Sequence, residues 1–167
     1  MELYLLRHAI AVSRENAGFP RDSDRPLTAK GTAKLQGVVR GMKALGLSFD
    51  VILTSPYLRA LQTAEIVADA LGVSKKVEPT EHLTPNGNPR ALIKLIASRS
   101  AARASILVVG HEPSLSQLIS VLVAGDDRTV ITMKKAGLCK LAIQAPRYGR
   151  CANLEWLLTP AQAERIR

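Results

Sequence analysis

Three short runs, Leu3-Tyr4-Leu5-Leu6, Val51-Ile52-Leu53 and Ile106-Leu107-Val108-Val109, are apolar at every position rather than at alternate ones. A strand built from such a run must be covered on both faces, which is the condition of a central strand in a parallel sheet with helices on either side. Stretches of helical period separate the runs, so the pattern is that of an α/β chain with a mostly parallel central sheet and helices on both faces. The 167 residues suit a single domain, residues 1–167, able to bury about 70% of its unfolded surface.

The spacing predicts strands over Glu2–Arg7, Val51–Thr54, Lys76–Glu78, Ser105–Val109, Val130–Met133, Leu138–Ile143 and Leu154–Leu158. A first helix is capped by Thr28 and reaches Leu45, with Gly31, Gly37 and Gly41 marking close packing. A second starts at Ser55-Pro56 and stops at Gly72, a third covers Arg90–Ser98, and a fourth follows Ser114 with Leu115, Leu118, Ile119 and Leu122 on one face. Pro160–Ile166 reads as a short basic helix. Ser13–Arg25 is long enough for a working loop, and the Pro, Asn and Gly of Thr80–Asn88 argue against a regular element there.

Each strand of the parallel set runs into polar residues: Arg7-His8 after the first, Ser55 to Arg59 after the second, Glu81-His82 after the third and Gly110-His111 after the fourth. Ligands of open α/β sheets bind beyond the carboxyl ends of the strands, so these segments are expected on one rim. Two guanidiniums and two imidazoles gathered there repel one another unless an anion lies among them, and a phosphoryl group offers several oxygens to their N–H donors. Arginine supplies a permanent charge in a planar fork. A neutral imidazole, with an ordinary pKa near ~6.5, can attack phosphorus and leave again. The helix after His111 adds backbone N–H groups at its start. On these grounds either histidine could be the nucleophile.

Lys and Arg number 23 against 14 Asp and Glu, a formal charge of +9 that steers anions toward the surface. Aromatic residues are only 4%, too few to stack successive bases, which argues against a nucleic-acid binder. Cys139 and Cys151 have no metal or redox spacing, which fits a reduced, cytoplasmic protein. The apolar start, broken by Glu2 and stopped by Arg7, is too short for a targeting segment or a membrane span. No cofactor is expected, since nothing in the sequence marks a flavin, nucleotide or metal site.

Leu6-Arg7-His8-Ala9, Thr54-Ser55-Pro56 with Arg59-Ala60 and Gln62-Thr63-Ala64, and Val109-Gly110-His111 resemble, in order and across most of the chain, the histidine phosphatase superfamily with its phosphoglycerate mutase-like fold. The compact length, Arg25-Pro26-Leu27-Thr28 with Gly31, Leu83-Thr84-Pro85 with Gly87, and Gly110-His111-Glu112-Pro113 are similar to the SixA-type phosphohistidine phosphatases. The resemblance implies that His8 is the nucleophile and carries the phosphoryl group, that Arg7, Arg59 and His111 bind its oxygens, and that inorganic phosphate is the product. No metal is implied.

Two positions depart from the family pattern. Ala9 stands where the superfamily has Gly after the Arg-His pair, adding a methyl at a turn, and tolerance is expected. His82 stands beside Leu-Thr-Pro where a proton-donating acid is expected, so the donor is Glu81, His82 or neither. A phosphohistidine substrate needs only a weak acid because its leaving imidazole is stable near neutrality. The compact chain implies an open cleft and a phosphorylated signalling or phosphotransfer protein as substrate. The alternatives are a small-molecule phosphate monoester phosphatase or mutase, and a phosphate-dependent binding module without turnover. Ser55 is expected as a helix cap, Arg25 in a surface pair with Asp22 or Asp24, and Lys134-Lys135 at a solvated edge.

Overall fold

The computed structural model describes residues 1–15, 18–101 and 103–167, so Asn16 and Ala17 of the Ser13–Arg25 loop lie outside the described residues. Among the described residues, β1 (Glu2–Arg7), β2 (Val51–Thr54), β3 (Val77–Pro79), β4 (Ser105–Gly110), β5 (Leu138–Ile143) and β6 (Ala152–Leu158) form one sheet in the order β3-β2-β4-β1-β5-β6. The first four are mutually parallel. β5 pairs antiparallel with β1 and β6 antiparallel with β5. The fold is thus the expected α/β class with a mostly parallel sheet.

Helices α1 (Ala29–Ala44), α2 (Leu58–Leu71), α3 (Pro89–Ser98), α4 (Ser114–Ala124) and α5 (Pro160–Ala163) cover both faces. Leu3 and Leu5 of β1 pack in a cluster with Leu92 and Ile96 of α3 and Leu118 and Leu122 of α4. Tyr4 and Leu6 turn to the other face, among Leu35, Val38 and Met42 of α1 and Ala60 and Ala64 of α2. Both faces of β1 are dry, which is why its run tolerates no alternating polar residue. Each large aliphatic side chain so buried is worth about 1.5–3 kcal/mol.

Local chemistry sets the helix ends. Thr28 Oγ1 accepts the Gly31 N–H at 2.9 Å to start α1, and Gly72, at φ 72°, closes α2 in the left-handed conformation that favours glycine. α2 begins at Leu58 rather than at Ser55-Pro56, because the Ser55 hydroxyl accepts the Tyr57 N–H at 3.2 Å and the chain bends there before the helix starts. A 3-10 turn, Glu81–Leu83, stands where no regular element was expected, capped by the Thr80 side chain. α5 opens on a Thr159–Gln162 capping box and is shorter than Pro160–Ile166, ending at Ala163 with Glu164 as its C-cap. Val130–Met133 forms no strand. Val130 is 94% exposed while Met133 is buried, so this β-branched segment has no neighbouring strand to pair with and instead lends its backbone to the site.

The α1 glycines are approach points. A methyl on Gly31 would overlap the Ile10 carbonyl, in the segment that follows β1, and one on Gly41 would overlap the Ala163 carbonyl of α5. Gly41→Ala should therefore destabilise the protein by about 1–3 kcal/mol despite alanine's higher helix propensity, measured as a lower urea midpoint at unchanged slope.

Candidate active site

Arg7 is the last residue of β1 and His8 follows it, Ser55 follows β2, and His111 follows β4; these three strands are adjacent in the sheet, so their carboxyl ends open on one rim. Arg59 joins them from the first turn of α2. The His8 and His111 ring centroids are 5.1 Å apart, and Tyr57 lies edge-on to His111 at 5.3 Å with the Arg59 guanidinium 5.1 Å from its own ring. His8, Arg59 and His111 are all buried. The structure thus brings together the four residues expected from the sequence.

Hydrogen bonds define the two imidazoles. His8 Nδ1 lies 2.7 Å from the Ala9 carbonyl, an acceptor, so Nδ1 carries the proton and Nε2 keeps a free electron pair. Ser55 Oγ already accepts the Tyr57 N–H and lies 2.9 Å from His111 Nε2. Among the described residues, His111 Nε2 is the acceptor within reach of the buried Ser55 hydroxyl proton, so the hydroxyl donates to it and the His111 proton lies on Nδ1. Ser55 is a cap, as expected, and also fixes a tautomer, which was not. Ala9 is buried at a non-positive φ, donates its N–H to Thr63 Oγ1 at 3.1 Å and needs no glycine conformation.

The arginines are held from outside. Arg7 Nη1 donates to the Met133 carbonyl at 2.8 Å. Arg59 Nη1 donates to the Asp22 carbonyl at 2.7 Å and Nη2 to Asp22 Oδ2 at 2.9 Å. Among the described residues, the buried side-chain N and O atoms without a hydrogen-bond partner are Arg7 Nε, Arg59 Nε and His111 Nδ1. Leaving a buried donor unpaired costs about 1–3 kcal/mol each, so three in one site describe a socket for an acceptor-rich anion.

Burial pushes the His8 pKa down to about 4, helped by Arg59, Arg7 and Lys135, and burial with His8 and Arg59 pushes His111 down to about 3. Both rings are neutral near pH 7, as a nucleophile and a tautomer-defined donor require.

Glu81 and His82 are not drawn into this cluster. Glu81 is exposed and lines an open cleft with Arg21, Asp24 and Tyr57. His82 is half-buried and lines a cavity of about 130 Å³ that borders His111. Arg25 pairs with Asp22, as expected, but is largely buried rather than at the surface. Sequence reasoning missed Asp22 and the Met133 carbonyl. Asp22 appeared only as a partner for Arg25, and a main-chain carbonyl has no sequence signal. Among the described residues no group of three or more His, Cys, Asp or Glu side chains is arranged to hold a metal ion, and no helix is long and apolar enough to cross a membrane.

A family model for the histidine phosphatase superfamily (branch 1) matches residues 3–84. The chain is 30% identical to phosphohistidine phosphatase SixA of Escherichia coli over 79% of its own length and 80% of that protein's. It is 41% identical to an uncharacterised protein of Picosynechococcus, over 88% of each. A structure of the protein histidine phosphatase SixA complexed with tungstate superposes with a TM-score of 0.82 at 25% identity, covering 96% of this chain and 98% of that one. The fold is phosphoglycerate mutase-like. The chain belongs to the histidine phosphatase superfamily.

As pH falls below ~6.5, the ordinary histidine value, an unfolded chain takes up protons on these imidazoles before the folded one does. Their depressed folded values thus remove stability between about pH 6.5 and pH 4 for His8 and down to about pH 3 for His111, and both rings should stay neutral by NMR down to about pH 5. A His8 or His111 resonance titrating above pH 6 in the unliganded protein would contradict the site's electrostatics.

Proposed function

We propose that this chain hydrolyses phosphohistidine on a protein, through a phosphoenzyme carried on His8. The free pair on Nε2 attacks phosphorus, the P–N bond to the substrate imidazole breaks with its electron pair leaving on that nitrogen, and the ring takes a proton from solvent or the nearby loop. Water then attacks the His8 phosphoryl group, restoring the imidazole and releasing inorganic phosphate. Arg7 Nε–H, Arg59 Nε–H and His111 Nδ1–H bond the equatorial oxygens as charge redistributes.

The observation that carries this reading is the set of unpaired buried donors, Arg7 Nε, Arg59 Nε and His111 Nδ1, around an imidazole whose Nε2 is free. A binding module would need the donors but not a neutral imidazole beside them. The choice of an N–P bond over an O–P bond is supported by the acid side of the site. Among the described residues the His8 ring bonds the Ala9 carbonyl and the His111 ring the Ser55 hydroxyl; Glu81 lines a cleft beside Tyr57 and His82 a cavity that borders His111, and neither hydrogen-bonds either ring. An alkoxide needs a strong, placed donor; an imidazole with an ordinary pKa near ~6.5 does not. The similarity to SixA over most of both chains supports the same substrate class.

Hydrolysis of a histidine-phosphorylated phosphotransfer domain should exceed that of sugar phosphates, and the unaltered protein should retain acid-labile, base-stable phosphate after a brief pulse. Faster turnover of sugar phosphates would favour a small-molecule phosphatase instead. His8→Ala should abolish phosphate retention and lower kcat by about 10³-fold or more, whereas Arg7→Ala should lower kcat by about 10²–10³-fold without removing the acceptor nitrogen.

A further inference from the structure

We propose that Asp22 is a positioning residue that aims Arg59 at the phosphoryl group, an assignment that rests on the phosphatase reading above. A guanidinium has two usable edges besides its stem: an outer one formed by Nη1 and Nη2, and an inner one formed by Nε–H and the second Nη2–H. Asp22 grips the outer edge alone, with its carbonyl on Nη1 at 2.7 Å and Oδ2 on Nη2 at 2.9 Å. The inner edge is left with a buried Nε–H that has no protein partner. One residue therefore fixes the plane and direction of the fork while leaving free the edge that a phosphoryl oxygen pair fits.

Asp22 is itself held. Its Oδ1 accepts from Arg14 Nε at 2.8 Å and from Arg25 Nε at 2.9 Å and Nη2 at 2.6 Å. Arg25 also donates to the Val12 carbonyl at 2.6 Å, tying the aspartate to the chain that leaves β1. The two carboxylate oxygens thus divide the work, Oδ1 anchoring to the loop's own arginines and Oδ2 reaching Arg59. Asp22 is 22% exposed and Arg59 4% exposed, so water screens their contact only partly. Burial works against the Arg59 cation, and Asp22 offsets it. The same contact makes the 22–25 segment and the first turn of α2 one unit, although 37 residues separate the partners.

Two opposed outcomes are possible for a carboxylate so placed. A competitor of the incoming oxyanion would bind Arg59 in its stead, so its removal would tighten oxyanion binding; a positioning residue would weaken it. The use of the outer edge favours positioning. The test uses tungstate binding by calorimetry, and phosphoenzyme formation from phosphoramidate, on the full chain. Asp22→Asn should weaken tungstate binding several-fold, Asp22→Ala about tenfold, and both should slow phosphoenzyme formation by up to about a hundredfold, the size of effect expected from misplacing a group by about 1 Å.

Asp22→Ala should have no further effect in an Arg59→Ala background, because it acts through that side chain. An equal loss in both backgrounds, or unchanged or tighter tungstate binding by Asp22→Asn with an unchanged melting temperature, overturns the assignment. Should Asp22→Ala not fold, Asp22→Asn and its tungstate affinity decide alone. A wild-type chain that binds no tungstate and takes no phosphate overturns the phosphatase reading itself and the assignment with it.

Discussion

The site depends on putting like charges and imidazoles side by side in a buried place and satisfying each from its outer side only. Asp22 takes one edge of Arg59, the Met133 carbonyl takes Arg7 Nη1, Ser55 takes His111 Nε2 and the Ala9 carbonyl takes His8 Nδ1. Every one of these contacts both anchors a side chain and decides which of its nitrogens is left for a ligand. The stability given up in leaving three buried donors unpaired is a standing bias toward an anion with several oxygens. The rest of the architecture serves to hold these partners still.

Irregular backbone does much of that holding. Ala136 adopts φ 60°, unusual outside glycine, and its N–H reaches the carbonyls of Arg7 at 3.0 Å and His8 at 3.2 Å. Together with Met133 it braces the residues at the end of β1. Gly31 and Gly41 let α1 approach the post-β1 segment and α5 at backbone distance. Close packing under the rim and strained turns beside it restrict the catalytic geometry, which suits a reaction that rests on preorganised donors rather than on induced rearrangement.

Electrostatics and chemistry point the same way. The formal charge of +9 draws anions in, while burial keeps His8 and His111 neutral so that one can act as nucleophile and the other as a neutral donor. Among the described residues no acid is bonded to either ring: Glu81 lines the cleft beside Tyr57, and His82 lines the cavity that borders His111 without bonding a site histidine. On the proposed reading, unpaired donors without an acid bonded to either ring suit a bond that breaks without much help.

The sequence by itself determined the sheet and the chemical identity of the site, because a run such as Leu3 to Leu6 has one stable environment and because residues directly after such a strand must surface at its end. β2 and β5 fall within the spans read from pattern, and Arg7, His8, Arg59 and His111 meet where strand ends require. Val130–Met133 failed as a strand since β propensity needs a neighbour to pair with, and the start of α2 shifted because a serine hydroxyl can hold either a helix or the bend before it. Only the tertiary structure decided which nitrogen of each imidazole is free, and that Asp22 turns inward to Arg59 rather than outward to water. Those outcomes depend on partners tens of residues away and on main-chain carbonyls, whose positions no local pattern of side chains encodes.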